Sequence, residues 1–223
     1  MIVSYDGTHN EDDAIALGRL FAEAGAEIAL AYVRHAPEEE ASAEILAQHE
    51  AEELLRRGAE LSGLAGVERH VVTDRSTPEG LSALAERIGA EAIVFCSDSH
   101  TAPGHIAVGN SAQRLLQGGS SAIAVAPAGF ASHERPQLAR VVVAGDGSAH
   151  DTAEQLARAI GAELSSVSDE TTSMLVVGSR PEAEPGRVSI SAASEHLIDV
   201  SRCPVLVLPR GKTLAFEVSA VSA

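Results

Sequence analysis

The chain has 223 residues, 45% of them apolar but only 3% aromatic and none of them Trp; a core built from Ala, Val, Leu and Ile suits strands buried on both faces with helices packed close against them. Thirty-two Asp and Glu stand against sixteen Lys and Arg, and the net charge of −16 repels a nucleic-acid backbone, while the shortage of aromatic rings removes platforms for stacking bases. Two cysteines, Cys96 and Cys203, are too few for a disulfide framework and fit no zinc spacing; no apolar run is long enough to cross a membrane and no basic leader precedes the first apolar segment, so the expectation is a cytoplasmic protein without nucleic-acid or membrane partners.

Ile2 to Tyr5 reads as a strand and "DGT" follows it. A helix is predicted from about Asn10 to Ala24, with Ile15, Leu17, Leu20 and Phe21 at helical spacing, Glu11, Asp12 and Asp13 in the first turn, and Gly25 as the stop. A strand from Glu27 to Val33 precedes a long Ala/Glu/Leu helix from about Glu39 to Leu64, an ordinary amphipathic helix covering a sheet face. Val67 to Thr73 is a strand, and "STPEG" opens a helix that runs to Ile88 and stops at Gly89, with Pro78 placed early, where its missing N–H costs nothing. Ala92 to Cys96 is the fourth strand, Asn110 to Gln117 a helix that Asn110 can cap, and Ala122 to Ala126 the fifth strand. Strand and helix alternate, which predicts a parallel sheet with helices on both faces.

After the linker "PAGFASHERPQ" the pattern restarts. "IVSYDGTHNEDDA" matches "VVVAGDGSAHDTA", "ERIGAEAIVFCSDS" matches "DETTSMLVVGSRP", and "NSAQRLLQGGSSAIAVAPAG" matches "ASEHLIDVSRCPVLVLPRG", in the same order. This predicts an internal duplication: a complete unit over 1–129, an abridged repeat over 137–211, and a tail over 212–223 that either pairs with an edge strand or is disordered. The repeat lacks a middle. Between Val167 and Met174 only "SDETTS" intervenes, and a parallel crossover ordinarily takes a dozen residues. Either the segment at Leu164 is not a normal parallel strand, or the second sheet is rearranged and narrow. So small a half leans on the first.

These pieces, "YDGT" and "GDGS", "VFCSDSH" and "VVGSRP", "GNSAQRLL" and "RCPVLVLP", resemble the universal stress protein family, and in particular its tandem two-domain members. The resemblance implies a Rossmann-like α/β fold with sheet order 3-2-1-4-5 in the first unit, a reduced sheet in the second, and a ligand site at the switch point between strands one and four. It implies ATP, with Mg²⁺ when bound, as the ligand of the first unit. The positions that match the family's site are Asp6 and Gly7 after strand one, Val33 at the end of strand two, Ser97 and Ser99 in the loop after strand four, and Gly109, Asn110 and Ser111 for the closing Gly-Ser/Thr pair. Cys96 or Ser97, and Ser99 or His100, stand where the family's loop has glycines. No Lys or Arg occurs from Ser97 to Ser111, and Asp98 adds negative charge. In the second unit Asp146, Gly147, Gly178 and Ser179 remain, but Pro181 removes a donor and Ser191 with Ala192 replaces the closing pair; that site reads as empty.

His9, His100 and His105 share a sheet edge with Asp6 and Asp98 but show no diagnostic metal spacing, so no metal site is expected. Cys96 and Cys203 read as small buried apolar groups. Asp98, Ser99 and His100 are too close in sequence for a nucleophile, base and orienter, so no catalytic residue is assigned. Three functions stay open: a stress-response binding or regulatory protein taking an adenine nucleotide weakly, an interaction or structural protein that binds none, and, last for want of a clear general base, a slow ATPase. In the family the fifth strands of two domains pair, so "SAIAVAP" and "CPVLVLP" are expected to pair within the chain as a pseudo-dimer, with a homodimer as a further option.

Overall fold

Short runs of branched aliphatic residues form the strands, and the Ala/Leu/Glu segments between them form the helices. The computed structural model describes residues 1–8, 10–35, 41–132, 139–145, 147–168 and 171–217. Its first half runs β1 (Ile2–Ser4), α1 (Glu11–Glu23), β2 (Ala29–Arg34), α2 (Ala41–Ser62), β3 (Glu68–Thr73), α3 (Thr77–Ile88), β4 (Ala92–Cys96), α4 (Asn110–Leu116) and β5 (Ala122–Ala126). Its second half runs β6 (Arg140–Ala144), α5 (Gly147–Ile160), β7 (Glu163–Ser165), β8 (Met174–Gly178), α6 (Ala192–Val200) and β9 (Val205–Leu208). Helix ends follow local chemistry. The Ser76 hydroxyl accepts from the Glu79 N–H at the start of α3, and Gly89 closes it in the left-handed region at φ 69°. Gly109, rather than Asn110, holds the cap position of α4 and supplies no side-chain bond, which corrects the expectation for Asn110.

Among the described residues all strands join one nine-stranded sheet in the order β3-β2-β1-β4-β5-β9-β8-β6-β7. The first half therefore has the expected 3-2-1-4-5 order. Every pairing is parallel except β5 with β9, where Ile123, Ala124 and Val125 lie opposite Val207, Leu206 and Val205 in antiparallel register. The segment at Leu164 is a parallel strand after all: β7 pairs with β6 through Arg140–Glu163, Val141–Leu164 and Val142–Ser165. Three residues rise only about 10 Å, so the following link has little distance to retrace. It ends at Ser173, whose N–H donates to the Arg140 carbonyl and whose hydroxyl accepts from the Ala139 N–H at 3.0 Å.

The sheet is covered on both faces. On one, α1, α2 and α5 pack Leu17, Phe21, Leu55 and Leu156 against Val3, Leu30, Val176 and Leu206. On the other, α3, α4 and α6 pack Leu81, Leu84, Leu115 and Ile198 against Ile2, Ile93, Val177 and Val205. Alternate residues of β5 and β9 enter alternate faces, so both cores run unbroken across the antiparallel seam. The start of the linker is anchored too: Phe130 is buried in a single 3-10 turn. Residues 133–138 lie outside the described residues.

Candidate functional site

Strand β1 lies between β2 and β4, and the connections after β1 and β4 leave toward opposite faces, through α1 and α4. That divergence opens a crevice at the C-terminal strand ends, the place where open α/β sheets take ligands. The residues that sequence reading selected gather around it, but most are engaged. Asp6 is exposed and its Oδ1 accepts from the Thr8 N–H at 2.9 Å. Gly7 has φ 77°, a conformation that disfavours any side chain, and a Cβ there would also stand 2.6 Å from Leu54 Cδ1 on α2, so that the Leu54 side chain would have to shift. Val33 is buried, with its methyl carbons against Gly80 of α3, and forms part of the core on that face.

Glu11 supplies the unexpected contact. It is 4% exposed, and its Oε2 accepts from the Asp6 N–H and from the Gly7 N–H, the latter at 2.7 Å. Two successive N–H groups converging on one oxygen form an anion-holding concavity, and here the carboxyl of the chain's own side chain occupies it. Burial foremost, then the neighbouring Asp6, push the Glu11 carboxyl up to about 9, against the two N–H donors that pull it down. Next to it Asn10 reaches across the crevice: its Nδ2 donates to the Asp98 carbonyl at 2.9 Å and to the Ser97 carbonyl at 3.5 Å. Sequence reading noticed Glu11 only as a first-turn acid favoured by the helix dipole; nothing in the linear pattern revealed that the turn folds back onto β1.

Ser97 is 1% exposed. Its hydroxyl donates to the Ala126 carbonyl at 2.8 Å and accepts from the Ala107 N–H at 3.4 Å. Ser99 is exposed and lies 3.2 Å from His100 Nδ1, on a ring that is 95% exposed. His105 faces Arg202 across the seam, with 3.1 Å between Nε2 and Nη1. Asn110 is exposed and Ser111 half-buried at the start of α4. His9 and Asp146 lie outside the described residues, and among the described residues no cluster of His, Cys, Asp and Glu could hold a metal ion. Arg34, one residue beyond Val33, is the buried cation near this edge, and its guanidinium is engaged bidentately by Glu44 at 2.8 and 2.6 Å.

The loop after β8 is built the same way. Ser179 is buried, its hydroxyl donates to the Leu208 carbonyl at 2.7 Å, and it accepts from the Ser189 N–H at 3.0 Å. Asp98 N–H to Ala107 carbonyl corresponds to Arg180 N–H to Ser189 carbonyl, and Gly104 N–H to Ala128 carbonyl corresponds to Gly186 N–H to Arg210 carbonyl, all at one constant offset. The matching crevice beside β6 is tight, however: a Cβ on Gly145 would meet Gly178 N at 2.6 Å.

The model of the universal stress protein family matches residues 1–127. This chain belongs to the universal stress protein family. Among solved structures it resembles a universal stress protein from Archaeoglobus fulgidus DSM 4304, with 18% identity and a TM-score of 0.69 over 94% of this chain and 98% of that one. It also resembles a functionally unknown protein from Pseudomonas aeruginosa PAO1, with 15% identity and a TM-score of 0.57 over 93% and 92%. At these identities the likeness extends to the fold. No curated protein matches the chain. For this universal stress protein the six α-helices among the described residues and the mostly parallel sheet are the family's Rossmann-like architecture, and no described helix is long and apolar enough to cross a membrane.

Proposed function

We propose that this universal stress protein acts in the stress response as a non-catalytic interaction or regulatory protein whose switch-point crevice is filled by its own α1 turn rather than by ATP. The observation that carries this reading is the Glu11 carboxyl seated on the Asp6 and Gly7 N–H groups. A phosphate seeking those donors must displace a buried carboxyl, with Asp6 and Asp98 close by and no Lys or Arg between Ser97 and Ser111 to compensate. Ser97 and Asn10 spend their polar groups inside the protein. Isothermal titration of the protein with ATP and Mg²⁺ is expected to give only heats of dilution. A saturable heat that disappears in Asp6→Ala would establish the rival reading, in which Asp6, Gly109 and Ser111 still hold an adenine nucleotide.

The same proposal includes ancestral doubling, with a complete unit over 1–129 and an abridged one over 137–211. The loop hydrogen bonds that recur at constant offset support it, as does the corresponding strand order β2-β1-β4-β5 and β7-β6-β8-β9. On this reading the β5–β9 seam is an internal pseudo-dimer interface, and the protein works in the cytoplasm.

A further inference from the structure

We propose that the groove between α1 and α5 is a peptide-docking site, which the segment following β9 occupies in cis. Sequence reading left that segment as an edge strand or a disordered tail. It is neither. Leu214 is 2% and Phe216 6% exposed, and both belong to the core on the α1 and α5 face. The Phe216 ring stacks on Phe21 of α1, with centroids 5.8 Å apart and planes at 27°.

The backbone contacts have the grammar of peptide recognition. Alternate N–H groups of the segment are received by one helix face: Leu214 N–H donates to Thr152 Oγ1 at 3.0 Å, and Phe216 N–H donates to Gln155 Oε1 at 3.3 Å. Alternate side chains give specificity and alternate main-chain groups give orientation, as in strand-like peptide binding, although the receiving element here is a helix. Thr152 is completely buried, so its hydroxyl would be a costly group in a core without this donor.

The far wall is shaped for the same guest. At the end of α1, Gly25 has φ 90°, and a Cβ on it would lie 2.5 Å from the Glu217 carbonyl oxygen. Lys212 tethers the near end, its Nζ donating to the Ser120 carbonyl at 3.0 Å. Shape, hydrogen bonding and an aromatic anchor from three elements thus converge on one apolar-x-apolar segment, and α5 of the second half is thereby bound to α1 of the first. Covalent attachment holds the guest at high effective concentration, so a partner peptide with the same pattern competes only once the resident segment is weakened.

Hydrogen exchange and peptide titration on the full chain test this. In the natural chain the Leu214 and Phe216 amides should be protected, and a labelled peptide of residues 212–217, KTLAFE, should not be captured. In full-length Phe216→Ala those amides should exchange about tenfold faster or more, and the peptide should bind, whereas KTLAAE should not. Thr152→Val, which keeps the apolar surface, should speed exchange at Leu214 and carries the test if Phe216→Ala fails to fold. The proposal is overturned if both amides of the natural chain exchange at free-peptide rates, if Thr152→Val leaves Leu214 protected, or if folded Phe216→Ala ignores the peptide.

Discussion

Glu11 sets the acid–base character of the crevice. A carboxyl pushed up to about 9 binds its proton more tightly in the folded chain than in the unfolded one. Its contribution is full below the unfolded value near 4.5 and is lost as pH rises from there toward 9, because the unfolded side chain ionises first. Glu11→Gln keeps an oxygen for the Asp6 and Gly7 N–H groups without a titrating proton. Urea melts at pH 5, 7 and 9 should therefore show a shallower fall in stability for Glu11→Gln than for the natural chain; parallel curves would refute the assignment. Burial likewise raises the Cys96 thiol to about 12, with Glu11 and Asp6 adding to it, which accords with a packing role rather than a reactive one. At this scale Asp6, Gly7 and Ser97, picked out in the linear pattern, lie together at the switch point. What that pattern could not reveal is which partner each polar group takes, because Asn10 reaches Asp98 and Ser97 reaches Ala126 only after distant segments meet.

Elements are held to one another by buried polar fasteners as well as by apolar packing. Asp13 of α1 is buried and accepts from the Gly129 N–H at 2.8 Å and the Ala131 N–H at 2.7 Å, so it pins the chain after β5 onto the first helix. Thr152 of α5 receives the chain after β9 in the same manner. Asp13→Ala removes the acceptor of two part-buried N–H bonds and should cost roughly 1–3 kcal/mol, measured by chemical denaturation; a change below about 0.5 kcal/mol would mean that water replaces the carboxylate fully. Helices and strands with strong periodicity were readable from the chain. The short β7 was not, since its three residues owe their strand geometry to β6 alongside, and the anchoring of the linker was not, since Gly129 and Ala131 look like ordinary loop residues until Asp13 arrives.

At the scale of the molecule the β5–β9 seam governs behaviour. Both strands are fully buried and feed both cores, so the first half alone would present an unpaired apolar edge. A chain of residues 1–129 is expected to be insoluble or to form a new dimer through β5, measured by light scattering; a stable monomer would show that the second half is dispensable. The alternation of strand and helix was enough to specify an α/β layer structure, because that follows from local periodicity and from the few ways parallel units can connect; the 3-2-1-4-5 order came from the family resemblance that the ordered motifs carry. Whether the crevice is open to a guest or filled by Glu11 and Asn10, and whether residues 212–217 hang free or lie on α1 and α5, depended on contacts between residues far apart in the chain. Such contacts carry no local periodicity, and their free energy appears only when the whole fold has brought donor and acceptor, or ring and ring, within reach.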